Sequence, residues 1–148
     1  MCYNSSKDGE NMDILCRDYK EEDLDSVNEI LKEAFDVTKD NFKHSDMKEI
    51  VALADDNVAG YLILTKVLNP IKDKYYYLVD YVCVSSKYRK MGISDALMEY
   101  AYKVASDDGA MYLQLTCSYK RVGAHKLYER CGYIKRDSDI YRKVILWF

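Results

Sequence analysis

One stretch of the chain does most to limit its fold: Val82-Cys83-Val84-Ser85-Ser86-Lys87-Tyr88-Arg89-Lys90-Met91-Gly92-Ile93-Ser94. An apolar, strand-like run enters a short basic loop, and the loop opens directly into an amphipathic helix. The first N–H groups of a helix have no partner inside it, and the helix dipole adds partial positive charge there. Gly92 lets the backbone approach a ligand, and Arg89 and Lys90 add formal charge. The stretch predicts either a pocket for pyrophosphate or an ordinary basic turn between strand and helix.

A second segment, Ala124-His125-Lys126-Leu127-Tyr128-Glu129-Arg130-Cys131-Gly132-Tyr133, follows another strand-like run. It is typical of a short helix closed by a C-terminal glycine. Together the two segments give the order strand, R-x-x-G-x-small, helix, strand, A-x-x-L-Y-x-x-x-G-aromatic. This order resembles the GNAT superfamily of N-acetyltransferases over residues 12–148. The resemblance implies an α/β fold: a mixed, mostly antiparallel sheet of about six or seven strands with a splayed central pair, and about four flanking helices.

Length and composition favour one globular domain. The chain has 148 residues, of which 49% are hydrophobic and 32% charged. We expect a domain over residues 12–148 after a disordered tail over residues 1–11, which is polar and patternless, and Met12 is an alternative start. No apolar run approaches the ~20 residues that span a bilayer, and the N-terminus lacks the apolar core of a signal peptide. We therefore expect a cytoplasmic protein that does not bind a membrane.

The cysteine pattern and the net charge argue against disulfide-bonded, zinc-binding and nucleic-acid-binding proteins. The five cysteines are odd in number and include no C-x-x-C pair, which argues against disulfides and a zinc site, so we expect no metal. The net charge is −3, with acidic and basic residues mixed along the chain. This balance argues against a nucleic-acid partner and is compatible with a cationic amine substrate.

Local patterns predict the other elements. A helix is expected from Asp18 or Glu21 to Ala34, and a hairpin turn at Asp55-Asp56-Asn57. The helix after the basic loop carries a buried stripe at Ile93, Leu97, Ala101 and Val104. Strands are expected at Tyr75–Val84, Met111–Cys117 and Tyr141–Phe148.

The resemblance implies acetyl-CoA as co-substrate and assigns residues to it. The main chain of Val82, Cys83 and Val84 would bind the pantetheine arm. The residues that match the pyrophosphate loop are Arg89, Lys90, Met91, Gly92, Ile93 and Ser94. Arg121 stands where the family often has an asparagine that helps to hold the cofactor, and an arginine there either reaches a phosphate or is solvated.

Two residues are candidates for proton transfer. Tyr128 matches the family tyrosine that faces the CoA sulfur, which implies a general acid for the leaving thiolate, although spacing alone favours a core tyrosine. Counting by twos along the strand puts Asp80 on one face with Leu78, Val82 and Val84. An acid on an apolar face is either a base or amine-orienting group, or half of a local salt bridge.

The resemblance therefore implies an N-acetyltransferase in which a primary amine attacks acetyl-CoA directly in a ternary complex. A small-molecule amine is the first choice of acceptor, because the polar stretch 36–46 could close over a small pocket. A protein N-terminus or lysine remains open, as does a non-catalytic sensor of acyl-CoA. The tyrosines at 75, 76, 77 and 81 either line a pocket for a cation or pack in the sheet. Monomer and homodimer both remain open.

Overall fold

A computed structural model describes the backbone of residues 2–7 and 10–147 and the side chains of residues 12–147. Six strands form one sheet in chain order: β1 (Cys2–Lys7), β2 (Glu10–Asp18), β3 (Met47–Ala54), β4 (Asn57–Asn69), β5 (Lys74–Val84) and β6 (Leu113–Gln114). The β5–β6 pair is parallel and the others are antiparallel. Three helices flank the sheet: α1 (Leu24–Phe35), α2 (Ile93–Asp107) and α3 (Val122–Arg130). The predicted mixed, mostly antiparallel α/β fold is confirmed, with three α-helices in the described residues where about four were expected.

The helices α1 and α2 cover opposite faces of the sheet. Helix α2 buries Ile93, Leu97 and Ala101, three residues of its predicted stripe, while the fourth is half-buried. These α2 side chains pack against alternate residues of β3, β4 and β5: Ile50, Ala52, Leu62, Leu64, Tyr77 and Val79. Helix α1 buries Val27, Ile30 and Leu31 on the other face. The 3.6-residue period of each helix meets the two-residue period of each strand, so each element contributes one apolar face to the core.

The hairpin between β3 and β4 forms where it was predicted. Asp55 and Asp56 connect the strands with φ angles of 46° and 68°. A two-residue turn with both residues in the left-handed region matches the twist of the strands, and aspartate tolerates this region better than most residues. The Asp55 carboxylate also accepts a hydrogen bond from the Asp13 amide at 3.1 Å, which ties the turn to β2.

A β-bulge in β5 changes which side chains share a face. Ile63 of β4 pairs with Asp80 and Tyr61 pairs with Cys83, so Tyr81 and Val82 together oppose a single residue of β4. Tyr81 has a φ of 53°, in the left-handed region. The expectation that Asp80 shares a face with Val82 was wrong, because the extra residue reverses the alternation. Asp80 lies on the α1 face, and Val82 packs on the α2 side.

The sheet opens between β5 and β6. The two strands pair at only two positions, Tyr77 with Leu113 and Leu78 with Gln114. Beyond Gln114 the chain continues with alternating half-buried and exposed residues to Cys117, but outside the pairing. The predicted strand over Met111–Cys117 is therefore paired only at Leu113–Gln114, with further backbone hydrogen bonds from the Met111 amide to Tyr75 and from the Tyr77 amide to Tyr112. The two strands diverge after Gln114, but among the described residues they form the edge of the sheet, where a splayed central pair was expected.

The two ends of the chain differ from expectation. Residues 2–7 form β1, paired antiparallel with the start of β2, where the sequence pattern predicts a tail. The predicted last strand is wrong over residues 141–147, which do not pair with the sheet, and Phe148 lies outside the described residues. Strand propensity requires a neighbouring strand to be satisfied, and none lies beside this segment in the described chain. No described helix is long and apolar enough to cross a membrane.

Gly60 of β4 lies where the strand and α2 come into close contact. A Cβ at this position would lie 2.8 Å from Ile93 Cγ2, 2.9 Å from Leu97 Cδ1 and 3.2 Å from the Cys83 carbonyl oxygen. We expect Gly60→Ala to lower the free energy of unfolding by about 1–3 kcal/mol, because the contacts force α2 away from the sheet. Urea unfolding measures the change.

Gly123 provides the matched control for this substitution. It lies in α3, and a Cβ there meets nothing within 4 Å. Gly123→Ala should leave stability unchanged or raise it by up to about 1 kcal/mol, because alanine favours the helix. Equal effects of the two substitutions would contradict the close approach at Gly60.

Candidate active site

The basic loop folds as a strand-to-helix connection with an exposed helix start. The loop leaves β5 with the Ser85 amide donating to the Ala59 carbonyl at 2.8 Å, and then makes a 3-10 turn over Ser86–Tyr88. Gly92 caps α2 with a φ of 84°, a conformation that costs glycine little. The first hydrogen bond inside α2 runs from the Ala96 amide to the Gly92 carbonyl. The amides of residues 93–95 come before Ala96 and have no acceptor within the helix, so they are available to bind an anion.

Glu33 of α1 holds this loop in place. Its carboxylate accepts hydrogen bonds from the Ser86 amide at 2.6 Å and the Ser86 hydroxyl at 2.7 Å, and these bonds lower the pKa of Glu33. The same carboxylate lies 3.7 Å from the Arg89 guanidinium, which remains 62% exposed. Lys90 is also exposed, with a φ of 61°. Glu33 therefore holds the loop on its α1 side, while the three cationic side chains of the loop, Lys87, Arg89 and Lys90, are exposed to solvent.

The end of β5 forms one wall of the cleft between β5 and the residues after β6. Val82 and Val84 are half-buried against the α2 side, and Cys83 is buried on the α1 side. Burial raises the pKa of the Cys83 thiol to about 12. The thiol therefore stays protonated at neutral pH, which excludes it as a thiolate nucleophile, and only the main chain of these residues is suited to contact a ligand.

Tyr128 lies in α3 with its side chain almost buried. Its residue is 8% exposed, and burial raises the pKa of the phenol above its ordinary value. The Tyr133 ring lies 6.0 Å away, and the Tyr133 amide donates to the Tyr128 carbonyl at 2.9 Å. Cys117, which follows β6, also raises the pKa of Tyr128, while the charge of Arg121 lowers it. Tyr128 therefore carries its proton at neutral pH beside the segment that diverges from β5.

Arg121 connects α3 to α1. Its guanidinium lies 5.5 Å from the centre of the Phe35 ring, and the centres of the Phe35 and Tyr81 rings are 5.3 Å apart with the rings nearly perpendicular. The charge of Arg121 also lowers the pKa of both the Cys83 thiol and the Tyr128 phenol, against the larger effect of burial. The contact that positions Arg121 is with Phe35 at the end of α1.

Asp80 projects from the same sheet face as a second carboxylate. Glu49, Ile63 and Asp80 are register partners across β3, β4 and β5, and directly paired residues share a face. The Glu49 carboxylate is nearly buried and binds the Lys39 ammonium at 3.0 Å and the Tyr61 hydroxyl at 2.5 Å. Asp80 is exposed. Sequence patterns gave no signal for Glu49 or Lys39, because they lie on different elements and meet only in the fold.

The tyrosines of β5 divide between core and surface. Tyr77 is buried and its hydroxyl donates to Asp108 at 2.6 Å, and Tyr76 stacks on Tyr112 at 4.8 Å. Tyr81 remains partly exposed beside Phe35. Tyr77 therefore packs in the sheet, whereas Tyr81 is available to a ligand near Asp80.

A cavity of about 590 Å³ lies away from the basic loop. Its lining includes Tyr19, His44, Tyr100 and Asp108, and it lies at the C-terminal end of α2, whereas the loop opens at the N-terminal end. His44 is exposed and its ring packs against Phe42. Within residues 12–147, no three His, Cys, Asp or Glu side chains are arranged to hold a metal ion.

Comparison with known proteins identifies the family. Residues 10–133 match the Acetyltransferase (GNAT) family. Because this match covers most of the chain, the chain belongs to the GNAT acetyltransferases, a family of acyltransferases whose co-substrate is acetyl-CoA. Among curated protein sequences, none matches the chain closely enough to count as a relative.

Solved structures share the fold at low sequence identity. A protein described as a transcriptional regulator from Bacillus halodurans C-125 has 20% identity and a TM-score of 0.77 over 89% of this chain and 99% of its own. Ribosomal-protein-alanine N-acetyltransferase from Brucella melitensis biovar Abortus 2308 has 20% identity and a TM-score of 0.73, over 90% of this chain and 99% of its own. An aminoglycoside acetyltransferase from an uncultured soil metagenomic sample has 13% identity and a TM-score of 0.75, over 90% of this chain and 96% of its own.

The contact between Glu33 and Ser86 can be tested by hydrogen exchange. We expect Glu33→Ala to speed exchange of the Ser86 amide at least about tenfold, because a charge-assisted hydrogen bond to that amide is lost. Hydrogen–deuterium exchange of peptides covering residues 85–92 measures this. Asp25→Ala, at an exposed site in the first turn of α1 and outside the cavity that the loop residues line, is the control and should leave these peptides unchanged. Unaltered exchange in Glu33→Ala would show that the loop does not depend on this contact.

Proposed function

We propose that this acetyltransferase moves an acetyl group from acetyl-CoA to the primary amine of a small molecule, by direct attack in a ternary complex. The observation that carries the proposal is the position of Tyr128. It is a nearly buried phenol, kept protonated by burial, in the same core cluster as Val82 and Val84 at the end of β5. A leaving thiolate needs a proton, and a phenol in this state can supply one.

The cofactor would lie along the cleft, with its charged end on the basic loop. The amides at the start of α2 and the side chains of Arg89 and Lys90 would bind the pyrophosphate, with Ser94 in the first helical turn. The main chain of Val82, Cys83 and Val84 would pair with the pantetheine arm, since this part of β5 extends past its pairing with β6. Arg121 would contact the cofactor near the thioester, because its charge lowers the pKa of both Cys83 and Tyr128.

Starting from an ammonium group, the reaction requires two protons to leave the nitrogen and one to reach the sulfur. Asp80 would accept the proton of the bound alkylammonium, which leaves a neutral amine with a lone pair. The amine nitrogen would attack the thioester carbonyl carbon, backbone amides would stabilise the negative charge on the oxygen, and the C–S bond would break. Tyr128 would donate its proton to the departing sulfur, which leaves CoA as the free thiol. The acetylated nitrogen would then lose its second proton to the Tyr128 phenolate, which gives the neutral amide and restores the phenol.

The acceptor side favours a small cation. Asp80 is exposed next to Tyr81, and aromatic faces beside a carboxylate suit an ammonium group. Residues 36–46 are held over this side of the sheet: the Asn28 side chain binds both backbone groups of Lys39, and Lys39 reaches Glu49. Such a fixed segment supports a bounded pocket. The aminoglycoside and ribosomal-protein enzymes share this fold, so both kinds of acceptor belong in the test.

Release of free thiol from acetyl-CoA tests the proposal. The panel contains polyamines, amino acids, aminoglycosides and peptides with free N-termini. Release with a small amine supports the proposed acceptor class, and release only with peptides would replace it with protein acetylation. Measurable acetyl-CoA binding without release from any acceptor would overturn the enzyme proposal in favour of an acyl-CoA sensor.

Removing the Tyr128 hydroxyl tests the general acid. We expect Tyr128→Phe to lower kcat about 10²–10⁴-fold with little change in acetyl-CoA affinity, because the phenol acts on the leaving group. Tyr102→Phe, at an exposed site on α2, is the matched control and should retain full activity. Steady-state kinetics with the best amine of the panel provide the values. Equal kcat in the two variants would remove Tyr128 from the mechanism.

Replacing Asp80 tests the proposed base. Asp80→Asn keeps the side-chain shape and removes proton acceptance, so kcat/KM should fall about tenfold or more at pH 7. The loss should shrink towards pH 9.5, because an alkylamine with a pKa of about 10.4 then deprotonates in solution to a larger extent. Asp56→Asn, in the exposed hairpin turn, is the control. A loss that is the same at both pH values would assign Asp80 to binding rather than to proton removal.

A further inference from the structure

The start of α2 carries a carboxylate beside the amides to which the proposed function assigns the pyrophosphate. Asp95 is the third residue of this helix, after Ile93 and Ser94. A carboxylate in the first turn of a helix is attracted by the positive end of the helix dipole, and it can reach back to accept hydrogen bonds from the exposed amides. An unrestrained Asp95 would therefore compete with an anionic ligand for these amides and would repel its charge.

Arg130, the last residue of α3, binds this carboxylate from the side. Its Nε donates to Oδ1 of Asp95 at 3.0 Å, and its Nη2 donates to Oδ2 at 3.1 Å. The Cys131 thiol adds a weaker contact to Oδ1 at 3.9 Å. Within residues 12–147, none of the hydrogen bonds of this carboxylate comes from the amides at the start of α2. Both carboxylate oxygens are thus turned towards α3.

Solvent exposure limits what this ion pair contributes to folding stability. The Arg130 side chain is 59% exposed and the Asp95 side chain is 30% exposed. Exposed ion pairs stabilise a folded protein little, because water screens the charges and ordering two side chains costs entropy. A planar guanidinium with two N–H groups on one carboxylate nevertheless fixes the direction of that carboxylate. The main consequence of the pair is therefore the place at which it holds the negative charge.

We propose that Arg130 is a positioning residue for the cofactor, which acts by holding the Asp95 carboxylate away from the amides at the start of α2. The amides then remain available to the pyrophosphate, and the guanidinium neutralises the carboxylate that would repel it. Arg89 and Lys90 supply positive charge from the loop itself, whereas Arg130 acts through Asp95. The inference rests on the proposed function, because that proposal assigns the pyrophosphate to this helix start.

Two simpler roles for Arg130 lead to different experimental results. If the guanidinium bound a phosphate directly, its loss would weaken cofactor binding equally with and without the Asp95 carboxylate. If the pair only fastened α3 to α2, its loss would loosen the start of α2. The positioning role instead predicts an effect on cofactor binding that requires Asp95, together with a start of α2 that becomes more protected.

Calorimetric titration of the full chain with CoA measures the effect on binding. We expect Arg130→Met to raise the Kd for CoA about three- to tenfold, because the released carboxylate turns to the helix start. In an Asp95→Asn background the same substitution should change the Kd less than about twofold, since no carboxylate is left to turn. An equal loss in both backgrounds would overturn the proposal in favour of direct phosphate binding.

Lys126→Met is the matched control for the loss of charge. Lys126 is exposed on α3, one turn before Arg130, and the substitution removes the same single positive charge. It should change the Kd for CoA less than about twofold, because Lys126 lies further from Asp95 along the helix. Equal effects of Lys126→Met and Arg130→Met would reduce the result to overall electrostatics and would also overturn the proposal.

Amide hydrogen exchange in the absence of CoA provides a readout besides binding. NMR follows the amides of residues 92–95. Arg130→Met should slow their exchange at least about threefold, because the released carboxylate accepts hydrogen bonds from them, and the added Asp95→Asn substitution should abolish this protection. Faster or unchanged exchange in Arg130→Met would mean that the pair only fastens the two helices, and would overturn the positioning role.

The wild-type chain and Arg89→Gln separate this inference from the proposed function. CoA binding that Arg89→Gln weakens supports the loop as the cofactor site, and the Arg130 variants then test the positioning role alone. Failure of the wild-type chain to bind CoA, or binding that Arg89→Gln leaves unchanged, would overturn the assignment of pyrophosphate to this loop and the inference with it.

Discussion

The β-bulge at Tyr81 is the feature on which the arrangement of the site depends. A regular strand would direct Asp80, Val82 and Val84 to the same face, and the carboxylate would then compete with apolar side chains for space under α2. The bulge inserts one residue, so Val82 and Val84 pack on the α2 side while Asp80 and Cys83 face α1. Tyr81 adopts a left-handed φ, which is unfavourable for a residue with a Cβ unless its surroundings hold it. Its contact with Phe35 supplies part of that support.

The helices on the two faces then fix the two ends of the cleft. Helix α2 lies close enough to β4 that Gly60 has no room for a side chain, and this sets where the basic loop must turn. Helix α1 holds the same loop through Glu33 and reaches Arg121 through Phe35. Elements far apart in sequence therefore position the cationic loop and Tyr128 relative to β5.

Turn preferences and helical spacing in the sequence predicted those parts of the fold that depend on residues close together in the chain. The Asp55–Asp56 turn follows from two residues that tolerate a positive φ, and the buried stripe of α2 follows from helical spacing. The bulge at Tyr81 has no such signal, because tyrosine is a common strand residue and the extra residue is accommodated only through pairing with β4. Residues 141–147 have strong strand propensity, but propensity does not specify a partner strand, and they pair with none of the described strands.

The candidate site also combines features set by neighbouring residues with features set by contacts between distant elements. Its loop and Tyr128 could be predicted from short motifs, whereas the choice of a base depends on contacts between distant elements. Glu49 and Asp80 project from one face of the sheet, separated by Ile63. Lys39 and Tyr61 bind the Glu49 carboxylate, and the side chains of Lys39 and Glu49 are nearly buried, so an incoming ammonium group has little access to this carboxylate. Asp80 faces solvent, where an incoming ammonium group can reach it. The buried pair thus ties Lys39 and the segment around it to the sheet and leaves Asp80 as the solvent-accessible carboxylate of this row.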